Sequence, residues 1–321
     1  MTNDGRAFAL PEELQGQRKR AAHLAWLSIV LLGSSTVFLA LTLGSSQAMK
    51  TAWISDILSI IPPIALLVAM RFELRPPSER FPYGYTRAIG ISFLVTASVL
   101  TLMGAWLFVD AAMKLLKKEH PPIGLAVYFG HSMWAGWAMI AALAYSIVCG
   151  SLVGQLKKGV AEKLKDKEQD AEAQMNRDEW LSEGAAIVGL LLVGFGHWWG
   201  DAGAAAFISV NMIRDGAHNL KQVIADLMDE TPTQMGSREL ETLPGRLKDA
   251  AEALPWVSRA SVRLREHGRA LTGDVYLVPR EEDGLVARLE QATEKLTALD
   301  WRLHDLNLVP VARLEDGAGQ Q

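Results

Sequence analysis

Apolar residues in this chain gather into long runs instead of recurring at the spacing of amphipathic helices. Ala21 to Met49 contains no Asp, Glu, Lys or Arg, and neither does Ala88 to Val109 or His120 to Leu156. A helix needs about 20 such residues to cross a bilayer core. On that requirement the chain reads as six membrane segments, at 21–45, 50–71, 88–112, 122–154, 180–200 and 201–222. Asp56 interrupts the second segment, Glu183 the fifth, and Arg214 with Asp215 the end of the sixth. Ionisable side chains at membrane depth are costly and face protein or water, so these interruptions are where function is sought first.

After Thr231 the pattern becomes that of a soluble domain. Leu240, Leu243, Leu247, Ala250 and Leu254 recur at helical spacing and Pro255 ends that helix. Ala260, Val262 and Leu264 alternate with Ser261, Arg263 and Arg265 as in a half-buried strand. A turn at Glu266 to Arg269 leads to a strand with Val275 and Leu277, then to a helix with Leu285, Leu289, Ala292 and Leu296, and to a last strand through Leu306, Leu308 and Val311. The expected fold is an all-α membrane domain of six transmembrane helices followed by a small α+β domain in the order α-β-β-α-β. Its divisions fall at 1–20, an N-terminal segment, at 21–222, the membrane domain, and at 223–321, a C-terminal domain.

Of 321 residues, 50% are hydrophobic and 21% charged, which together with the runs excludes a soluble globular enzyme. The single cysteine, Cys149, lies inside an apolar run, so disulfide staples and zinc ribbons are excluded and packing is its expected role. A net charge of −4 without a basic, aromatic-rich patch gives no reason to expect nucleic acid. Arg18, Lys19 and Arg20 precede a first run that is too long for a signal peptide, so it reads as an anchored helix. With the N-terminus inside, the same side receives Arg71, Arg75, Arg80 and Arg87, then Lys157, Lys158, Lys163, Lys165, Lys167 and Arg177. The other side receives only Lys50, Lys114, Lys117 and Lys118. This bias predicts an integral membrane protein with both termini cytoplasmic. The charged stretch from Lys157 to Asp178 has no histidine and reads as solvated helical extensions or a loop.

The fifth segment is the most informative chemically. Glu179 and Glu183 are four residues apart, so both carboxylates project from one face, and two buried carboxylates so close repel unless a cation or a proton lies between them. The second segment supplies Asp56, with Ser55 and Ser59 as neutral oxygen donors. Pro62 and Pro63 follow, each without an amide donor, which frees the carbonyls of Leu58 and Ser59. Broken helices with freed carbonyls are how transporters often coordinate cations. The bland alternatives are an Asp56 held by Ser or Thr of a neighbouring helix and a Glu179 that is only juxtamembrane. His131 reads as a packing histidine, and His197 beside Trp198 and Trp199 as interfacial.

The stretch Arg75-Pro76-Pro77-Ser78-Glu79-Arg80-Phe81-Pro82-Tyr83-Gly84-Tyr85-Thr86-Arg87-Ala88 resembles the loop between the second and third helices of the cation diffusion facilitators. Further matches are His120-Pro121-Pro122, Trp180-Leu181-Ser182-Glu183-Gly184, Asp201, Leu227-Met228-Asp229-Glu230 and Asp305-Leu306-Asn307-Leu308-Val309-Pro310-Val311. The family carries a pair of metal-binding side chains one turn apart on each of its second and fifth helices. Here Glu179 and Glu183 stand at that spacing, but the second segment offers one acid, Asp56, and an ungapped register from the loop places Ser55 and Ser59 at the pair instead. Phe81 and Tyr85 replace two loop histidines that help bind a peripheral metal in some relatives, and the C-terminal domain has only His267 and His304.

The resemblance implies a homodimeric, proton-coupled exporter of divalent cations, lodged in a bacterial inner membrane and working by alternating access, with Asp56, Glu183, Glu179, Ser59 and Ser55 as metal ligands. The dimer would form through the C-terminal domain and the membrane helices. No resident cofactor is expected, because the divalent ion is cargo and the proton is the coupling ion. Oxygen ligands without imidazole or thiolate predict Mn²⁺ or Fe²⁺ carried at least as well as Zn²⁺. The alternative is a degenerate family member acting as a non-transporting membrane partner or scaffold. An intramembrane hydrolase lacks a visible nucleophile or second catalytic acid, so no enzyme is expected.

Overall fold

The computed structural model describes residues 11–73, 78–82, 85, 87–120, 123–128, 131–164, 167–234, 239–267, 270–281 and 283–314. Arg75 to Pro77, Tyr83, Gly84 and Thr86 of the loop motif, Pro121, Pro122, Gly268 and Arg269, and the side chains of His131 and Asp178, lie outside them. The chain divides into two compact units, one of Gly16–Val68 with Ile91–Ile224, the other of Met1–Gln15, Ala69–Gly90 and Ala225–Gln321.

The first unit is built from α1 (Glu12–Thr42), α2 (Gln47–Ser59), most of α4 (Ala88–Lys117), α5 (Ala135–Leu164), α6 (Lys167–Gly194) and α7 (Gly200–Leu227). Leu39, Met49, Leu107, Leu143, Leu190 and Ile208 form its buried centre. Trp26, Val30, Val37 and Leu41 of α1 and Leu102 and Trp106 of α4 are exposed, the outward apolar surface that a helix bathed in lipid presents. Among the described residues four helices are long and apolar enough to cross a membrane: α1, the span Gln47–Phe72, α4 and α5. α6 and α7 are of similar length but are not among these four.

The second segment is broken where its prolines predict: α2 stops at Ser59 and α3 (Ile61–Glu73) begins after Ile60. Pro62 and Pro63 lack the amides that would carry the ladder across that point, and the chain closes the end of α2 with an Ile60 N–H donating to Ile57 O at 3.2 Å. The fourth segment does not begin as a helix. Leu125–Tyr128 and His131–Trp134 are antiparallel strands β1 and β2, paired from Leu125 with Trp134 to Tyr128 with His131, and α5 starts only at Ala135. Two prolines and Gly124 upstream oppose helix, and the aromatic and β-branched residues that follow suit a strand. Trp134 then covers Gly136 and Gly194, where any side chain would collide with its ring. Finally, the charged stretch after Lys157 is not simply a solvated face. It continues α5 and α6 as packed helices in which Lys157, Val160, Ala161, Leu164, Asp170 and Asn176 are buried.

The ends of α2 and α7 are pinned together by polar bonds. Ser46 caps α2, accepting from Met49 N at 3.1 Å. Asp201, in the first turn of α7, accepts from Ser46 Oγ at 2.5 Å, Gln47 N at 2.6 Å and Ala48 N at 3.1 Å. A carboxylate set on free amides and the positive end of the α2 dipole satisfies both. It also fixes where α2 starts, and so the depth of Asp56 further along the same helix.

In the second unit, α8 (Leu243–Glu252), β3 (Val257–His267), β4 (Ala270–Pro279), α9 (Leu285–Thr297) and β5 (Leu303–Pro310) follow the order expected. The sheet is mixed: β3 runs antiparallel to β4, with Val262 opposite Val275, and β5 runs parallel to β4, with Leu308 beside Val275. Leu243, Leu247, Val257, Val275, Leu277 and Leu296 fill the layer between helices and sheet. Leu240 does not join α8. It pairs with Thr233 in an isolated bridge, because Pro244 sets the first turn of the helix.

Candidate functional site

α2 brings Asp56 to the interior, where it is 2% exposed. Its Oδ2 accepts from Ser35 Oγ of α1 at 2.8 Å and from Ser146 Oγ of α5 at 2.9 Å. Each serine is itself fully buried. This is the arrangement of a polar side chain bonded by neighbouring helices, yet it does not stand alone. Glu183 of α6, equally buried, lies close enough to Asp56 for the two carboxyls to interact directly. Neither oxygen of Glu183 has a hydrogen-bond donor in sound geometry among the described residues. Two buried acids on different helices, facing each other, give an arrangement in which a cation or proton between them would balance the charge.

One turn towards the N-terminus of α6, Glu179 is half-buried and its Oε1 accepts from Ser59 Oγ. The same hydroxyl stands 3.2 Å from the carbonyl oxygen of Ser55. α5 approaches this point through Gly150: a methyl there would sit 2.7 Å from Glu179 Oε2 and 3.2 Å from the Asn176 carbonyl oxygen. Glycine thus makes room for the Glu179 carboxyl between α5 and α6.

The structure therefore brings together Asp56 with Glu183, and Ser59 with Glu179. Ser55 joins through its carbonyl oxygen, while its side chain is half-buried. Ser35, Ser146 and Gly150 belong to the site and were not singled out from the sequence. A serine or glycine in an apolar run carries little signal by itself, and only the packing of α1 and α5 around α2 and α6 reveals the role. Cys149, beside Gly150, is a buried free thiol. Among the described residues no group of three or more His, Cys, Asp or Glu side chains is poised around one point. The donors gathered here are oxygens, which suit hard divalent cations.

Residues 22–228 match the family model of the cation efflux transmembrane domain. The chain is similar to the manganese efflux system protein MneS of Bacillus subtilis (strain 168), 23% identical over 214 residues, covering 64% of this chain and 68% of that protein. It is also similar to the manganese efflux system protein MneP of the same organism, 22% identical over 266 residues, covering 81% and 83%. Similarity to the zinc transporter ZitB of Pectobacterium atrosepticum is 26% identity over 230 residues, covering 70% and 66%.

Proposed function

This chain belongs to the cation diffusion facilitators, a family of metal-ion transporters of the membrane, and from that premise we propose that it is a proton-coupled exporter of divalent cations. The cation is held between Asp56 of α2 and Glu183 of α6, with Glu179, Ser59 and Ser55 on its route. The observation that carries this reading is the buried meeting of the Asp56 and Glu183 carboxyls, brought together from two different helices. Open inward, the two carboxylates take the cation; open outward they release it and return protonated, each proton occupying oxygen that the metal has left. In this reading α6 and α7 cross the bilayer with the four more apolar spans, both termini are cytoplasmic, and two copies form a dimer in a bacterial inner membrane. The names of the similar proteins include manganese and zinc, and the oxygen-only donor set favours Mn²⁺ and Fe²⁺ carried at least as well as Zn²⁺.

Uptake into vesicles holding the purified chain, with each ion at equal free concentration, tests this. Glu183→Ala is expected to abolish uptake while the protein still assembles, and Glu179→His to shift preference towards Zn²⁺. A wild type that moves only zinc, together with an unshifted Glu179→His, refutes the ligand assignment. The second reading, a membrane partner that does not transport, draws on α2 supplying a single acid. It predicts no metal-stimulated proton flux in the same vesicles.

A further inference from the structure

A hydroxyl inside an apolar helix commonly bonds back to its own helix, on the carbonyl oxygen one turn earlier. Ser28, Ser98 and Ser209 do so at 2.7 Å. Ser146, fully buried on α5, does not: among the described residues its Oγ donates across to Asp56 Oδ2 of α2, at 2.9 Å. Ser35, fully buried on α1, has two acceptors in range, Leu32 O of its own helix at 2.9 Å and Asp56 Oδ2 at 2.8 Å. Its single hydrogen turns to the carboxylate, the stronger acceptor, whenever that group is ionised. Two hydroxyls from two helices thus converge on one oxygen. A carboxylate oxygen has about two lone-pair sites, so both sites of Oδ2 are taken. No serine, threonine or amide among the described residues donates to Oδ1. The Asp56 carboxyl is therefore held asymmetrically, one oxygen tied to the protein and the other not.

We propose that Ser35 and Ser146 are positioning residues that make Asp56 a one-oxygen ligand, giving the cation Oδ1 alone, and that they thereby discriminate against Ca²⁺. The inference rests on the metal-transport reading of the same site. Ca²⁺ gathers about six to eight oxygens at about 2.3–2.6 Å, and taking both oxygens of one carboxylate is a common way to reach that number. Smaller divalent ions hold fewer ligands in stricter shells, where one oxygen from Asp56 suffices. For Ca²⁺ to use Oδ2 as well, one of the two buried hydroxyls must give up a charge-assisted hydrogen bond. The serines therefore act through Asp56 and touch no ion themselves.

The test is thermal unfolding of the purified full-length chain against rising Mn²⁺ and rising Ca²⁺, beside uptake of both ions into vesicles. Wild type is expected to be stabilised at lower concentrations of Mn²⁺ than of Ca²⁺. Ser35→Ala and Ser146→Ala each open a site on Oδ2, and each should raise the affinity for Ca²⁺ relative to Mn²⁺ about tenfold, the scale of altering a group that orients a metal ligand. This ratio separates the role from packing, since a loosened site weakens both ions alike. A wild type that Ca²⁺ stabilises as readily as Mn²⁺ overturns the proposal. So does a ratio unchanged in both alanine variants, including the case in which their metal-free Tm falls and both ions bind more weakly together. If wild type neither binds nor moves a divalent ion, the transport reading fails and this inference falls with it; if it moves Mn²⁺ and the ratio holds in both variants, only the serines lose their role.

Discussion

His267 on β3 shows how a single side chain can report on distant segments. Its Nε2 lies 2.9 Å from Arg87 Nη2, which also pairs with Asp229 Oδ1 at 2.5 Å, while Arg265 Nη1 donates to Asp229 Oδ2 at 3.1 Å. Burial, then the charges of Arg87 and Arg265, hold the imidazole down at about 4 from its ordinary 6.5, against the opposing pull of Asp229 and Asp305. The ring is neutral at pH 7 and accepts from the Arg87 guanidinium. Because the unfolded chain takes up this proton at higher pH than the folded one, stability is full above about pH 6.5 and falls as pH drops towards 4. His267→Gln is expected to flatten that part of the unfolding curve, removing no more than about 3 kcal/mol of pH dependence. Unchanged slopes in thermal unfolding across this window would show that His267 does not carry it. The sequence offered only an isolated histidine here, because Arg87 is 180 positions away.

Pairs of elements, not single helices, define the candidate site. α5 and α6 lie against each other, and at Gly150 the missing side chain leaves room for the Glu179 carboxyl. Gly150→Ala should force the helices apart or displace the carboxyl, at about 1–3 kcal/mol of stability, and raise the half-saturation for metal uptake. Wild-type uptake and Tm in the Gly150→Ala variant would mean that the site tolerates the methyl. The prolines of the second segment were legible as a break, since the absence of an amide is a local fact. The β1 and β2 hairpin was not legible, because an uncharged run satisfies a hydropathy requirement whether it is helix or strand. Pairing of Leu125–Tyr128 with His131–Trp134 is settled by partners and by the seat that Trp134 finds on Gly136 and Gly194.

The C-terminal domain has its own core of Leu243, Leu247, Val257, Val275, Leu277 and Leu296, so a fragment starting near Thr231 is expected to fold alone. With only His267 and His304 in it, the dimer proposed for this chain should survive in that fragment under chelator, as sedimentation would show. A fall to monomer on chelation would expose a metal site in the domain. At this scale much was readable beforehand: the membrane character, the change of pattern near Thr231 and the α-β-β-α-β order all follow from local periodicity, which each segment carries within itself. Asp56, Glu179 and Glu183 were also readable, since a charge within an apolar run is conspicuous by its cost. Their company was not. That Asp56 meets Glu183 and two serines and that Ser59 meets Glu179 depend on how α1, α2, α5 and α6 cross. Such meetings join residues as distant in sequence as Ser59 and Glu179, 120 positions apart, and a serine or a glycine acquires a role only when packing brings another helix against it.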